Sequence, residues 1–564
     1  MNQYPRLIVQ IDSIGRVGHM DDLRVFDYLY LDEFKSLIRY LCCDNLKGKR
    51  REVVQLLQYY IQTAKRVMIL DADFTPDMKE LIVELSPNAV ITQKTNTFKS
   101  DTNQYFFTTN QNDWFAKLQE IVKLKKKIAI PVNSKEESER IKEFILKTYP
   151  NATIGLINAE IRGKERKELF DIKNWKDLDY LIYSPTITCG VSFDEIHFDY
   201  IFGYCVSESN TAQEFVQQLR RIRKTTSNDV YLYISPTRGS LLTDYDTIHR
   251  TLLENYQFKI SQEGHYGINT KISTKNHRME IEEDFYFKMF MITLIERNKS
   301  RNNMLNEVLL TIKKELSENS SIQKFGVEMK SIKEDLLQTK EKINQERIQR
   351  ILNAKCIAQD DYQKLKKSQN PTSDQLFQIE KFEIMEFYKI NEITLNKEFV
   401  EEFGKKHIRD EFDMFDIFMN ENNPCEKVSN EFLIHSKNPK FKRDLLFKAL
   451  KVYGMNDIYS QTSSTKIQKI NTQELNDIFH KIQVEFHQSS NLPSFKSSDV
   501  KSLVDQLKKI LKMMGLKLQN VRRRTQVDGE SKRETVYFID LKSLKNAFEV
   551  TIQRNKGNST YFNF

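Results

Sequence analysis

Eight short apolar runs alternate with amphipathic stretches over the first 255 residues, and that alternation limits the fold more than any other feature. The runs are RLIVQID (6–12), DYLYLDE (27–33), RVMILDAD (66–73), KIAIPVNS (127–134), TIGLINAE (153–160), YLIYSP (180–185), YIFGYC (200–205) and VYLYIS (230–235). Each is apolar on both faces. A strand with one wet face would alternate apolar and polar residues, so these runs suit parallel strands covered by helices on both sides. The interleaved helices supply the crossovers, and the predicted architecture is α/β with two sheets.

Beyond residue 255 the strand signal fades. FYFKMFMITLIERNKSRNNMLNEVLLTIKKELSE has helical spacing and few breakers, and the Lys/Glu/Gln-rich stretch 325–368 reads as solvated helix without a sustained heptad. NPTSDQ (370–375) reads as a loop. From about 471, two helical segments, the second ending at Gly515, precede KLQNVRRRTQ, the turn VDGESK and RETVYFID, which together read as a hairpin. Helices followed by a basic hairpin predict a winged-helix-like domain. The division is therefore 1–110 and 111–255 for two lobes, 256–470 for a helical region and 471–564 for the basic domain.

Charge matters here by its location. The chain carries +9, and the segment Lys501–Phe564 alone carries +8. A basic terminal domain points to a polyanionic partner such as DNA, with a solvated surface as the other explanation. Arg522, Arg523, Arg524, Lys532 and Arg533 are the expected phosphate contacts. The six cysteines form no CxxC pair, which removes a zinc signature and fits a reducing, intracellular compartment. No signal peptide and no apolar run near 18 residues is present, so no membrane partner is expected.

Three motifs carry chemistry. DYLYLDEF ends a strand in two carboxylates, the Walker B design: Asp32 would hold Mg²⁺ through water and Glu33 would polarise an attacking water. Such a pair also caps helices. A second strand ends in Asp71-Ala72-Asp73 some forty residues on, an acidic and small-residue strand end that strengthens the first motif, with a strand-to-helix turn and an Asp cap as the other explanation. In TAQEFVQQLRRIRKTT, Gln217 precedes Arg220, Arg221, Arg223 and Lys224 between two strands. Arg221 and Arg223, two residues apart at a helix end, could both reach a γ-phosphate, as arginine fingers do. Between these motifs, YSPTITCGVSFD offers Thr186, Thr188, Gly190 and Ser192, neutral groups that grip phosphates without reading bases.

The order of these elements resembles that of the herpesvirus-type replication origin-binding proteins, DEAD-like superfamily 2 helicases. The resemblance runs through RLIVQIDSIGRV, LDEF, LDADF, IAIPVNSK, YSPTITCGVSF and QQLRRIR, over about residues 5 to 240. It implies two RecA-like lobes, ATP and Mg²⁺ as cofactors, and ATP-driven DNA unwinding and origin binding in replication. It also implies other replication proteins as partners and a nuclear, viral or mobile-element compartment. In that resemblance Asp32, Gln217 and Gly190 touch nucleotide, and Thr186, Thr188 and Ser192 touch DNA. Arg220 stands where the family has Gly.

No GxxxxGK[ST] occurs in the chain, and only Met1 to Pro5 precede the strand that follows that loop in the family. The first lobe is therefore expected to be incomplete and ATP binding impaired. Two explanations stand: a helicase whose loop is truncated, encoded elsewhere or lost, or a degenerate motor serving as a DNA-binding or scaffold protein. A nuclease using the carboxylates alone fits less well, because Asp32 lies far in sequence from other acidic candidates.

Overall fold

The computed structural model describes residues 6–555 apart from 18–22, 44–45, 47–48, 100, 159–160, 162, 186–190, 208–209, 237–238, 264–269, 274–277, 327–331, 369–370, 421–437, 456–463, 466–471, 487–499 and 528–529. The first lobe is built on a two-stranded parallel sheet of β1 (Tyr28–Asp32) and β2 (Arg66–Leu70), with Tyr30 opposite Met68 and Asp32 opposite Leu70. Helices α1 (Phe34–Cys42) and α2 (Arg50–Thr63) lie between the strands in sequence, and α3 (Pro76–Leu85) follows. Their apolar faces bury Phe34, Ile38, Leu41, Val54, Leu57, Ile61, Met78 and Leu81. Arg50, itself buried, donates to the carbonyls of Leu41 and Cys43 and so closes the C-terminal end of α1.

RLIVQID does not form the expected strand. Residues 6–10 have no regular structure, and Ile11–Arg16 is a 3₁₀ turn. The run is apolar enough for a strand, but its contacts go to a helix: Leu7 and Ile14 rest on the small cluster of Val17, Leu56 and Tyr60.

The second lobe has a seven-stranded sheet. It comprises β3 (Gln104–Thr108), β4 (Ile128–Pro131), β5 (Ile154–Ile157), β6 (Tyr180–Tyr183), β7 (Tyr200–Cys205) and β8 (Asp229–Ile234). The seventh strand comes from later in the chain, and all pairings are parallel. Every residue of β4 and β6 is buried, as expected of strands covered on both faces. The crossovers include α4 (Gln111–Lys123), α5 (Lys135–Thr148), α6 (Gly163–Phe170) and α7 (Ala212–Leu219). Polar caps begin them: Asn110, Ser134 and Thr211 each accept a backbone N–H from the first turn.

From β8 the chain crosses back. α8 (Tyr245–Glu263) and α9 (Phe285–Asn302), separated by the hairpin β9 (Thr270–Ser273) and β10 (Arg278–Ile281), complete the first-lobe core with Ile248, Leu252, Phe285, Phe287, Met291 and Leu294. After a break at Asn303, α10 (Met304–Glu315) returns to the second lobe and buries Met304, Val308 and Ile312 in its core. β11 (Ile322–Lys324) then pairs with β3, giving the sheet order β11-β3-β8-β7-β4-β6-β5.

The remainder is mostly helical, as its sequence predicts. It runs through α11 (Ile332–Asn353), α12 (Gln359–Lys367), α13 (Ser373–Tyr388), α14 (Lys397–Phe403), α15 (Lys406–Met419) and α16 (Pro439–Val452). Beyond the short β12 (Ser464–Thr465) come α17 (Thr472–Glu485) and α18 (Val500–Lys512). Gly515 follows with φ of 68°, the left-handed conformation expected of a residue just past a helix. The hairpin of β13 (Leu518–Val527) and β14 (Glu530–Ile539) is present, with β12 added beside β14. A helix not expected from the sequence, α19 (Leu541–Asn555), is the last described element, capped by Asp540 accepting from the Ser543 amide. One apolar cluster draws Ile348, Ile384, Phe412 and Leu446 together with Leu475, Leu507, Ile539 and Ala547. Among the described residues, no helix is long and apolar enough to cross a membrane.

Candidate functional site

Strand β1 ends at Asp32, and Glu33 turns the chain into α1 with φ 52° and ψ 53°. A left-handed conformation costs a residue with a β-carbon on the order of 1–2 kcal/mol, so the turn is held by its surroundings. Asp71, at the end of the parallel neighbour β2, supplies part of that hold. Its carboxylate accepts from the Lys35 amide at 2.6 Å and from the Asp73 amide at 2.7 Å. Asp71 therefore joins the start of α1 to the turn after β2, as a cap does. The expected Asp cap on the helix after β2 does not form: Thr75 caps α3, its hydroxyl accepting from the Met78 amide.

Glu33 is half-buried beside this cluster, and one of its carboxylate oxygens has no hydrogen-bond partner among the described residues. Burial raises its pKa first, followed by the negative charge of Asp71. Arg221 opposes the rise, and Asp32 and Asp73 add smaller increments in the same upward direction as Asp71. The first-lobe Glu33 and the second-lobe Arg221 thus lie within electrostatic reach of each other. Asp32 itself is exposed.

Arg221 is positioned by a short parallel pairing between Phe193 and Ile222. The Phe193 amide donates to the Arg221 carbonyl at 2.7 Å, and the Arg223 amide donates to the Phe193 carbonyl at 3.0 Å. One guanidinium N–H of Arg221 donates to the Val191 carbonyl at 3.3 Å, while its Nε is buried with no hydrogen-bond partner among the described residues. The two arginines expected to act together are separated: Arg223 is exposed and pairs with Asp194 of its own lobe at 3.3 Å. Arg220 turns elsewhere again, to Glu315 at 2.7 Å. Residues at a helix end two apart diverge once the helix stops, and α7 stops at Leu219.

Gln217 is half-buried on α7 and makes no side-chain hydrogen bond among the described residues. Its neighbour Gln218 is the anchored one. Its amide donates to the Tyr183 carbonyl at 2.8 Å, and the Tyr183 hydroxyl donates back to the Gln218 carbonyl at 2.9 Å. Of the neutral loop, Ser192 is half-buried next to this pairing, and Thr186, Thr188 and Gly190 lie outside the described residues.

In the C-terminal hairpin Arg522 is exposed and stands opposite Thr535. Arg523 pairs with Glu534, Arg524 with Arg533, and Thr525 with Lys532 along the ladder. The side chains of Arg523, Arg524, Lys532 and Arg533 lie outside the described residues.

These residues fit one end of a nucleotide site. Orphaned polar atoms of Glu33 and Arg221, within electrostatic reach of each other, are of the kind that could meet a hydrolytic water and a γ-phosphate, and the exposed Asp32 could hold a hydrated cation. Among the described residues no group of three or more His, Cys, Asp or Glu is arranged to hold a metal ion by itself. A single carboxylate is the usual protein share of a Mg²⁺ site completed by phosphates and water. The cradle for the other phosphates does not fit, because no GxxxxGK[ST] loop occurs in the sequence.

A family model described as origin of replication binding protein matches residues 1–105 and 88–284. A putative replication origin-binding protein of Acanthamoeba polyphaga mimivirus is 23% identical over 458 residues, covering 76% of this chain and 54% of that protein. A putative helicase/primase complex protein of African swine fever virus (isolate Pig/Kenya/KEN-50/1950) is 22% identical over 414 residues, 72% of this chain and 39% of that protein. The replication origin-binding protein of human herpesvirus 6A (strain Uganda-1102) is 26% identical over 253 residues, 43% of this chain and 30% of that protein. The chain therefore spans between 30% and 54% of the length of these relatives. Among solved structures, S. cerevisiae Dbp5 bound to RNA and ADP BeF3 covers 40% of this chain and 56% of its own at 15% identity and a TM-score of 0.30. At that score the fold rests on the chain's own sheets.

Proposed function

Because the chain belongs to the origin of replication binding protein family, we propose that it acts in DNA replication as the DNA-binding part of an origin-binding, superfamily 2 helicase-like motor. Its two sheets stand as RecA-like lobes, and its basic end as a winged-helix-like domain on DNA. The observation that carries the reading is Arg221 within electrostatic reach of Glu33, each with a buried polar atom left open among the described residues. When bound, ATP with Mg²⁺ would supply the phosphoanhydride bond whose hydrolysis drives unwinding. Asp32 would hold the metal's water shell, Glu33 would orient a water and Arg221 would face the γ-phosphate. With no phosphate loop in its sequence, the polypeptide alone binds ATP poorly. The relatives are viral proteins, which supports a viral replication compartment and other replication proteins as partners.

The test is DNA-stimulated phosphate release by the purified chain, expected to be at background. Turnover that disappears in Glu33→Gln would overturn the impaired-ATP part. For DNA, replacing Arg523 and Arg524 together by Ala should flatten the plot of log K against log salt by roughly 0.9 per lost contact. An unchanged slope would count against the hairpin as a DNA contact.

A second reading is a silent motor kept as a DNA-binding scaffold. It is favoured by the ion pairs that occupy Arg220 and Arg223 within the second-lobe region. The two readings separate on nucleotide binding, which the scaffold lacks even when a phosphate-loop segment is added in trans.

A further inference from the structure

A group of four charged side chains, none of them given a role by the motifs, joins the two lobes. Lys35 and Arg39 lie one turn apart on α1, the helix that Glu33 begins. Lys35 pairs with Glu296 of α9, and Arg39 reaches the other oxygen of Glu296 at 3.1 Å. The same guanidinium reaches Glu214 of α7, in the second lobe, at 3.4 Å.

Glu214 is shared between two tasks. One oxygen accepts from the Thr211 amide at 2.7 Å and from its hydroxyl at 2.9 Å, forming the capping box that starts α7. The other meets Arg39. α9 also holds the start of α7 directly, because the Ala212 amide donates to the Ser300 hydroxyl at 2.7 Å in a buried contact. One end of α7 is therefore tied to α1 and α9, and the other end leads into Arg221. The tie also begins two residues from Glu33.

We propose that Arg39, Glu296 and Glu214 are positioning residues: an interlobe ionic strap that sets α7, and with it Arg221, against Glu33. Two cations and two carboxylates balance in a mostly buried setting. Pairs of this kind resist screening by salt, and losing one member leaves a buried charge unmatched. The strap has a rigid base. Asn302, at the end of α9, pairs both ways with the peptide of Leu241, accepting at 2.7 Å and donating at 2.8 Å. Asn298 donates to the Leu242 carbonyl at 2.7 Å. The chain leaving the second lobe and the chain returning to it are thus bound side by side. With α9 fixed at that end, the charges near its middle decide how α1 and α7 face each other.

The proposal rests on reading Arg221 as a cleft arginine, but its test needs no nucleotide. Donor and acceptor dyes are placed through unnatural amino acids at Lys79 on α3 and Lys123 on α4, both exposed, in the full chain. Single-molecule energy transfer should show one narrow population, unchanged between low and moderate salt. Glu296→Gln and Arg39→Glu should each add a second population of lower transfer efficiency. The charge-conserving Arg39→Lys keeps two charges of each sign, with every pair still attractive, and should keep the single population. A role in packing alone would not separate Lys from an uncharged side chain at this position.

Transfer efficiency unchanged in both single variants would overturn the strap, as would an Arg39→Lys form that shows the second population. Should Arg39→Glu not fold by circular dichroism, the uncharged Arg39→Gln decides by the same two outcomes. A chain whose strap passes but whose Glu33→Gln and Arg221→Ala forms leave every nucleotide and DNA measurement unchanged would sink the proposed function and leave the strap standing.

Discussion

The two sheets have similar strand sequences and opposite surroundings. β4 and β6 are buried along their whole length, with helices over both faces. β1 and β2 are covered on one face only. On the other, Tyr28 is 56% exposed, Tyr30 62%, Met68 52% and Leu70 48%. Parallel strands are ordinarily buried on both sides, and a two-stranded sheet is marginal without a packed face. The first lobe is stable here because α8 and α9, arriving from beyond the second lobe, complete its one covered face. The apolar pattern of a strand therefore reports its capacity for burial and leaves open how much of that capacity is used.

The contrast can be broken or sharpened by substitution. The largest effect is expected in the second lobe. Phe202, buried in β7 against Trp114 and Tyr231, should cost about 3–5 kcal/mol as Phe202→Ala, read from urea unfolding. A loss below about 1 kcal/mol would show that this core is looser than its burial indicates. Next comes Gly203→Ala in the same strand. A β-carbon there would lie 2.6 Å from a Leu232 methyl and 2.8 Å from a Leu219 methyl, so overpacking of about 1–3 kcal/mol should follow.

A smaller effect, of opposite sign, belongs to Glu33. Its pKa lies above the ordinary value, so the folded state holds this proton more tightly than the unfolded chain does. The stability it contributes is fully present below the ordinary carboxylate pKa and is lost as pH rises through the folded value. Glu33→Gln should therefore raise the melting temperature near pH 7 and leave it unchanged near pH 4. Equal effects at both pH values would remove the electrostatic account. The smallest change is expected on the open face of the first lobe, where Met68→Lys should alter stability by no more than about 0.5 kcal/mol. A loss of several kcal/mol would mean that something covers this face in solution.

Much of the site was legible because its chemistry is local. An apolar run that forms a strand and ends in Asp32-Glu33 delivers its carboxylates to a sheet edge, and the strand–helix–strand order around Arg221 placed it in the second lobe. Arg223 was read as its companion because spacing alone says that both tips leave one helix end. The early stop of α7 at Leu219 sends Arg223 to Asp194 instead. Gln217 drew attention by motif position, whereas the hydrogen bonds belong to Gln218. Arg39, Glu214 and Glu296 were invisible, since they lie far apart in sequence and each alone is an ordinary surface charge.

What the sequence determined by itself was the α/β alternation, the helical middle, the basic hairpin and the family resemblance. All of these follow from periodicity, charge and short motifs that neighbouring residues decide together. Only the tertiary structure decided that RLIVQID rests on α2 instead of pairing as a strand, and that α9 and α10 are divided between two cores at Asn303. It alone brought Arg221 within electrostatic reach of Glu33. Local sequence sets which residues can be buried or charged together. Which surfaces meet depends on contacts between segments some two hundred residues apart, and no short pattern encodes those.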